Sequence, residues 1–379
     1  MKKLIKKHES FLSFLFLLIA ALNIFNFIKT HPGHFNEEFS PDLHRKLYGQ
    51  SQYILKEPIS EIADEIVYAL AGWEYVHGLN PILLNGEQPP LGKYFIGLSE
   101  LWFNNSRFTA PIFNILCLVA LFWLLNLLLE SRILAAVLTT IFSFEKVFIA
   151  QMLYSPNLDN IQLFFVLVAF CFFVKFYKSG KFLIPALLSL GLVAATKFWI
   201  TAFIILIVWL LSLLLTLDRK KLKPFTSPIS LTILMGALLI PLLASYYQSF
   251  AQGMSLREFF GTQKYIYSWH SAKLEFNPIA VWDLLLLNRW HNRGEIVKAV
   301  DWQLTWPILT ILSVVAIYQL MKLYKKEGAK NPLFIIGVWF VVYFALLSVS
   351  NVNARYLFPI LPAMYVLGGW VIKSKIYGK

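Results

Sequence analysis

The sequence predicts an all-α, polytopic membrane protein. Three observations predict it. Of the 379 residues, 58% are hydrophobic and only 15% are charged, against about half and about a quarter in soluble domains. Apolar runs repeatedly approach the roughly 20 residues that cross a hydrocarbon core. The formal net charge of +13 would suggest nucleic acid in a soluble protein. Here the lysines instead cluster in short stretches between apolar runs, as in cytoplasmic loops. The expected surroundings are therefore a lipid bilayer, with no nucleic acid.

Spanning helices are expected near 10–28, 107–129, 132–150, 157–176, 182–196, 198–217, 228–246, 304–322, 333–349 and 356–372, ten in all. The first follows "MKKLIKKHES". Its apolar part is long for a signal peptide and no small-x-small site follows it, so it reads as a retained helix with a cytoplasmic N-terminus. With that start, "KFYKSGK", "DRKKLK", "KLYKKEGAK" and the tail "KSKIYGK" all fall inside, and both termini are cytoplasmic. Two long segments then lie outside. One, about 29–106, is rich in Glu and Asp; the other, about 247–303, is rich in Trp, Tyr and His. Loops of this length are uncommon without a task. No repeat or separate soluble domain interrupts residues 1–379, which read as one transmembrane unit. Cys117 and Cys171 lie inside apolar runs and read as small core residues, neither a disulfide nor a metal site.

The fifth span is short. Fifteen residues reach about 22 Å against a core of roughly 30 Å, so it ends below the outer surface at "ATKFW", leaving Lys197 to face protein or a cavity.

The outer loops hold the candidate chemistry. In "PISEIADEIVYALAGWEYVHG", Ile59, Ile62, Ile66, Leu70 and Trp73 recur at helical spacing, with Ser60 as N-cap. This predicts an amphipathic helix lying on the membrane. Asp64 falls opposite the apolar stripe and Glu65 beside it. They fit a solvated face or a general base aimed into a cavity. In "NGEQPPLGKYFIG", Pro89 and Pro90 permit a helix start. Lys93 then sits in the first turn, where a cation opposes the dipole; it is a snorkelling lysine or one with another task. In "AQMLYSPNLDNIQLFF", Ser155 and Pro156 suit N-cap and N1. Asp159 then pairs with the helix dipole or forms a second acid at the same mouth. Arg355, in "NVNARYLFPILP", ends the list as an anchor or a phosphate ligand. The topology gathers these acids and cations at one membrane face, which suits a lipid phosphate bearing a neutral group.

In order along the chain, these motifs resemble those of the protein O-mannosyltransferases of the GT-C superfamily and related polyprenyl-phosphate-dependent glycosyltransferases. Asp64 and Glu65 match the family's acidic pair. "QPPLGK", Gln88 to Lys93, matches its "HPPLGK" with Gln for His. Gln151, Leu158, Asp159 and "LFF" match the motif on the next loop, with Met152 and Leu153 replacing its Ser-Arg. "GLVAATKFWITAF" and "QKYIYSWHSAKLEFNP", Gln263 to Pro278, match two more, and "RYLFPILP" resembles the last span of bacterial and archaeal members. The large soluble domain of eukaryotic members has no counterpart here.

The resemblance implies a GT-C-like bundle of about ten helices, with amphipathic helices in the long first outer loop. It implies inverting transfer of a hexose, mannose by family, from a polyprenyl-phosphate carrier to an acceptor hydroxyl of a protein Ser or Thr. The site faces outward from a membrane whose owner the compact lysine-rich chain suggests is prokaryotic. In this scheme Asp64 is the base and Glu65 orients it or the acceptor. Lys93, Lys197 and Arg355 clamp the donor phosphate. Asp159, His270, Gln263 and Gln88 contact sugar or acceptor. No cofactor is required; an acid cluster with a histidine is compatible with a divalent cation, but no ligand spacing demands a metal. Lipid or glycan acceptors, transport of a lipid-linked sugar and a non-catalytic assembly subunit remain the alternatives. A transporter favours repeated halves, and none is visible.

Overall fold

A computed structural model describes residues 2–216, 227–271, 276–292, 295–349 and 352–377. The basic stretch at 218–223 and residues 272–275 of the 263–278 motif lie outside the described residues. All ten apolar segments are helical. Stretches His8–Thr30, Ser106–Leu129, Asp159–Ser179, Pro228–Ser245 and Thr305–Glu327 are each long and apolar enough to cross a bilayer. They correspond to α1 (Lys2–Thr30), α6 (Thr109–Leu129), α9 (Asp159–Ser179), α12 (Pro228–Ser245) and α16 (Thr305–Glu327). Shorter apolar helices are α10 (Leu183–Thr196), α11 (Ile200–Thr216), α17 (Leu333–Leu347) and α18 (Leu361–Tyr377).

The segment expected to be one span near 132–150 is broken. Helices α7 (Arg132–Ser143) and α8 (Lys146–Leu153) meet at 52°. Glu145 is the reason. Its carboxylate is fully buried and accepts from Trp306 Nε1 at 3.0 Å and from the Tyr365 hydroxyl at 2.5 Å. A buried charge needs such donors, and a straight helix offers none. The backbone groups freed at the break are also satisfied. The Gln303 side chain donates to the Phe144 carbonyl (3.1 Å) and accepts from Lys146 N–H (2.8 Å).

Helix α9 is the centre, packed between α6 and α10, with 78% of its span buried. Helix α10 in turn lies on α12. Gly191 makes that approach possible, because a Cβ there would collide with the Leu238 carbonyl and Pro241. Helices α1 and α7, α11 and α17, and α16 and α18 pair around this core.

The first long loop carries α2 (Pro32–Asn36), α3 (Pro41–Gly49), α4 (Asp64–Val76) and α5 (Leu91–Phe103). Helix α4 begins at Asp64, with Ala63 as its N-cap, so Ser60 does not cap it. Nor does its apolar side lie on lipid. It packs against α5, burying Val67, Leu70 and Tyr75 among others. Gly72 and Gly97 set that contact, since a Cβ on either would strike the other's backbone. The second loop holds α13 (Tyr247–Ala251), α14 (Leu256–Ser271), α15 (Ala280–Leu287) and a small hairpin, β1 (Trp290–Asn292) with β2 (Glu295–Val297), in which Trp290 pairs Val297.

Candidate functional site

Helices α9 and α10 are antiparallel neighbours, so the start of one meets the end of the other. Helix α9 starts at Asp159; Ser155 does not cap it but donates to the Met152 carbonyl at 2.8 Å. Lys197 is the extended residue that ends α10. The two side chains meet at 2.5 Å, with 9% and 17% exposure. Burial makes the pair interdependent, because either charge left alone there is costly.

A second pair stands beside it. Asp64, the first residue of α4, is placed where the helix dipole favours an anion. Its Oδ2 lies 3.4 Å from Arg355 Nη1, and its Oδ1 accepts from the Tyr53 hydroxyl at 3.2 Å. Arg355 belongs to the turn Ala354–Leu357, capped by Asn353, whose Oδ1 accepts the Arg355 N–H. Burial works against the charged guanidinium. The charge of Asp159, and then the Tyr356 side chain and the charge of Asp64, outweigh it and hold Arg355 above its ordinary range. Arg355 therefore lies within electrostatic reach of both acids, and it joins the two pairs into one cluster. Its Nε is buried and has no hydrogen-bond partner among the described residues. An unused donor of that kind is what an anionic ligand requires.

Glu65 is half-buried, and its carboxyl is pushed up. Burial is the main cause and the Asp64 charge adds to it, against its own backbone N–H, Arg107 and Arg355.

Lys93 takes a position that the sequence does not suggest. It is completely buried and donates to the Asn85 carbonyl (2.6 Å), the Asn85 side-chain oxygen (3.1 Å) and the Gln88 carbonyl (3.0 Å). All three ammonium hydrogens are spent inside the "NGEQPP" loop. Burial pulls the ammonium down to about 7, partly opposed by Glu87. In this arrangement Lys93 shapes a loop rather than facing a ligand.

That loop supports the remaining expected residues. His270 Nε2 stands 3.2 Å from the Gln88 amide nitrogen and from the Glu87 carbonyl oxygen. Its ring stacks on Phe198, next to Lys197, with centroids 4.1 Å apart. Helix α14 thus reaches over the end of α10. The Gln88 side-chain oxygen is buried with no hydrogen-bond partner among the described residues, as is Trp199 Nε1. Gln263 is placed differently. It lies beside Tyr246, which packs with Met254 and Phe259, and no hydrogen bond or ion pair among the described residues links it to the two acids. Among the described residues no three His, Cys, Asp or Glu side chains are placed to hold a metal ion.

Tyr53 is the residue that sequence reasoning missed. It follows Gln52, whose amide donates to the Ile62 carbonyl (2.7 Å) and accepts from Ile62 N–H (2.9 Å). That pair of hydrogen bonds ties the preceding loop to the entry of α4 and sets Tyr53 against Asp64. The polar-aromatic run "QSQY" in a loop leading to the acidic pair was the available signal.

Residues 103–252 match the family model of the dolichyl-phosphate-mannose-protein mannosyltransferases. ArnT from Cupriavidus metallidurans, bound to undecaprenyl phosphate, superimposes with a TM-score of 0.54 at 15% identity, over 81% of this chain and 55% of that one. The chain has a GT-C fold. The oligosaccharyltransferase of Archaeoglobus fulgidus, solved in complex with Zn and sulfate, gives a TM-score of 0.50 at 15% identity, over 96% and 49%. The chain spans about half the length of these two GT-C proteins. No curated protein sequence matches it significantly. The resemblance read from the motifs is borne out within the matched stretch, which contains Asp159 and Lys197.

Proposed function

We propose that this protein is an inverting glycosyltransferase. It moves a hexose, mannose by its motifs, from a polyprenyl-phosphate carrier to an acceptor hydroxyl of a protein Ser or Thr, on the outer face of the membrane. The observation that carries the reading is the joined pair of ion pairs, Asp64–Arg355 and Asp159–Lys197, at the loop-side ends of apolar helices.

The chemistry follows from the charges. The acceptor oxygen attacks the anomeric carbon as its proton passes to Asp64. The bond from that carbon to the phosphate oxygen breaks on the opposite face, and configuration inverts. The leaving phosphate changes from diester to monoester and gains negative charge. Fixed cations therefore bind the transition state more tightly than the ground state. Lys197 and Arg355 have that role, with Arg355 Nε free to donate. Tyr53 holds Asp64 in place, and Glu65 borders the acceptor. Asp159 keeps Lys197 aimed and, with His270 and Gln88, contacts the sugar. Lys93 holds the loop that presents Gln88.

The test is direct. The protein in lipid is given radiolabelled polyprenyl-phosphate mannose with peptide and glycan acceptors, beside Asp64→Asn. Label reaching peptide only with the wild type supports the proposal. Label on glycan alone replaces the acceptor, and equal transfer by both proteins removes Asp64 from the base role.

A further inference from the structure

A cavity of about 420 Å3 lies far from these residues. It is formed where α6, α9, α16 and α18 end and α17 begins, and Lys178, Lys330, Lys373, Glu130, Glu327 and Trp370 are among its walls. Asp159 starts α9 and Lys178 nearly ends it, so α9 alone separates the cavity from the candidate site by roughly 30 Å. The cavity therefore sits at the other membrane face, at the depth of lipid head groups.

Its charges differ in how they are engaged. Lys178 is used internally, donating to the Leu127 carbonyl at 2.7 Å and to Glu130 at 3.1 Å. Lys330, Lys373 and Glu327 form no ion pair among the described residues, and Lys373 stands within electrostatic reach of Glu130, which Lys178 already holds. Lys330 is also held in place. Gly328 before it has a positive φ of 67°, the Tyr177 hydroxyl donates to the buried Ala329 carbonyl, and the Asn331 side chain accepts from Leu333 N–H. Lysines at helix ends often answer the negative end of the dipole. That accounts for Lys178 and Lys373, but Lys330 lies on a fixed turn between helices, where no dipole explains it.

We propose that this cavity binds an ethanolamine phospholipid by its head group. Two unpaired ammoniums suit one phosphate. A carboxylate outside any ion pair among the described residues and a tryptophan wall suit one primary ammonium. A purely anionic head group would leave Glu327 unanswered. A choline head group has no N–H to donate to Glu327. This site is independent of the transfer reaction.

The full-length protein would be placed in nanodiscs of mixed phosphatidylethanolamine, phosphatidylglycerol and phosphatidylcholine, then extracted, and its retained lipid quantified by mass spectrometry. The expected result is ethanolamine lipid enriched about fivefold over bulk, a modest step on the affinity scale. Lys330→Gln with Lys373→Gln should return the ratio to bulk. Glu327→Gln should erase the preference for ethanolamine over glycerol while keeping that over choline. Unfolding temperature in pure phosphatidylcholine, unchanged in both variants, shows that they are folded. Bulk ratios in the wild type, enrichment that survives the double lysine variant, or a preference for ethanolamine over glycerol that survives Glu327→Gln, each overturn the proposal. Soluble phosphoethanolamine is the second arm. If millimolar amounts displace the lipid fully, the ligand is the free head group and the lipid assignment fails.

Discussion

Replacing Lys197 by methionine tests the central pair most sharply. The change keeps the unbranched stem, one atom shorter, and removes the charge. Asp159, only 9% exposed, is then a buried carboxylate without its direct partner, a loss of about 3–5 kcal/mol. Arg355 still stabilises Asp159 through space, so the lower end, about 3 kcal/mol, is expected. Asp159→Asn alone should cost less, because Lys197 is more exposed at 17% and can turn toward water. In the double variant no buried charge is stranded, and one charge-assisted bond is lost, about 1.5–3 kcal/mol. The cycle should therefore show a coupling of about 2 kcal/mol, well above the scatter of independent sites. Reversible denaturant unfolding in mixed micelles measures it. The double variant should fold yet transfer no sugar. Coupling near zero would refute the buried pair, and wild-type transfer by the double variant would refute the phosphate clamp.

Four further outcomes follow from the same geometry. Asp64→Asn should lower transfer by about 10²–10⁴-fold, the usual worth of a placed base, with donor binding retained in a pull-down on immobilised polyprenyl phosphate. Tyr53→Phe deletes one hydrogen bond to Asp64, worth about 1 kcal/mol; unfolding free energy should fall by about that amount and turnover about fivefold, with KM unchanged. Lys93→Met strands the Asn85 and Gln88 carbonyls but removes a buried charge, so transfer should be lost while the melting temperature moves little; wild-type turnover would remove the loop from the mechanism. Glu65 is raised by burial, so its ionised form costs stability above the ordinary carboxylate range, and that cost disappears at acid pH, where both states are protonated. Glu65→Gln should therefore be more stable than wild type at pH 8, with the difference vanishing toward pH 4 in parallel melts.

The transmembrane plan was legible because lipid demands long apolar runs, and such runs survive any detail of packing. The break at Glu145 was not. Hydropathy averages one acid away among apolar neighbours, and its donors, Trp306 and Tyr365, lie more than 150 residues further along. Helix α4 illustrates a second blind spot. Its stripe looked fit for lipid, yet α5 offered a closer surface through two glycines. The site was half legible. Asp64, Asp159, Lys197 and Arg355 were visible as acids and cations at one face, and the fold joins them. Lys93 was also visible, but sequence cannot say that a lysine's three acceptors lie five and eight residues behind it. Tyr53 carried no periodicity or charge to mark it.

The Gln303 side chain that bonds both sides of the break between α7 and α8 has a practical meaning. A long loop between spans is the usual place to insert an epitope or a fluorescent label. Here the loop's last residues are stitched to the backbone at Phe144 and Lys146, and α8 leads within six residues of its end to Asp159. An insertion just before Thr305 would unpick that stitch and shift the start of α9. A tag placed there would abolish the proposed transfer, although it touches none of the residues proposed to carry it.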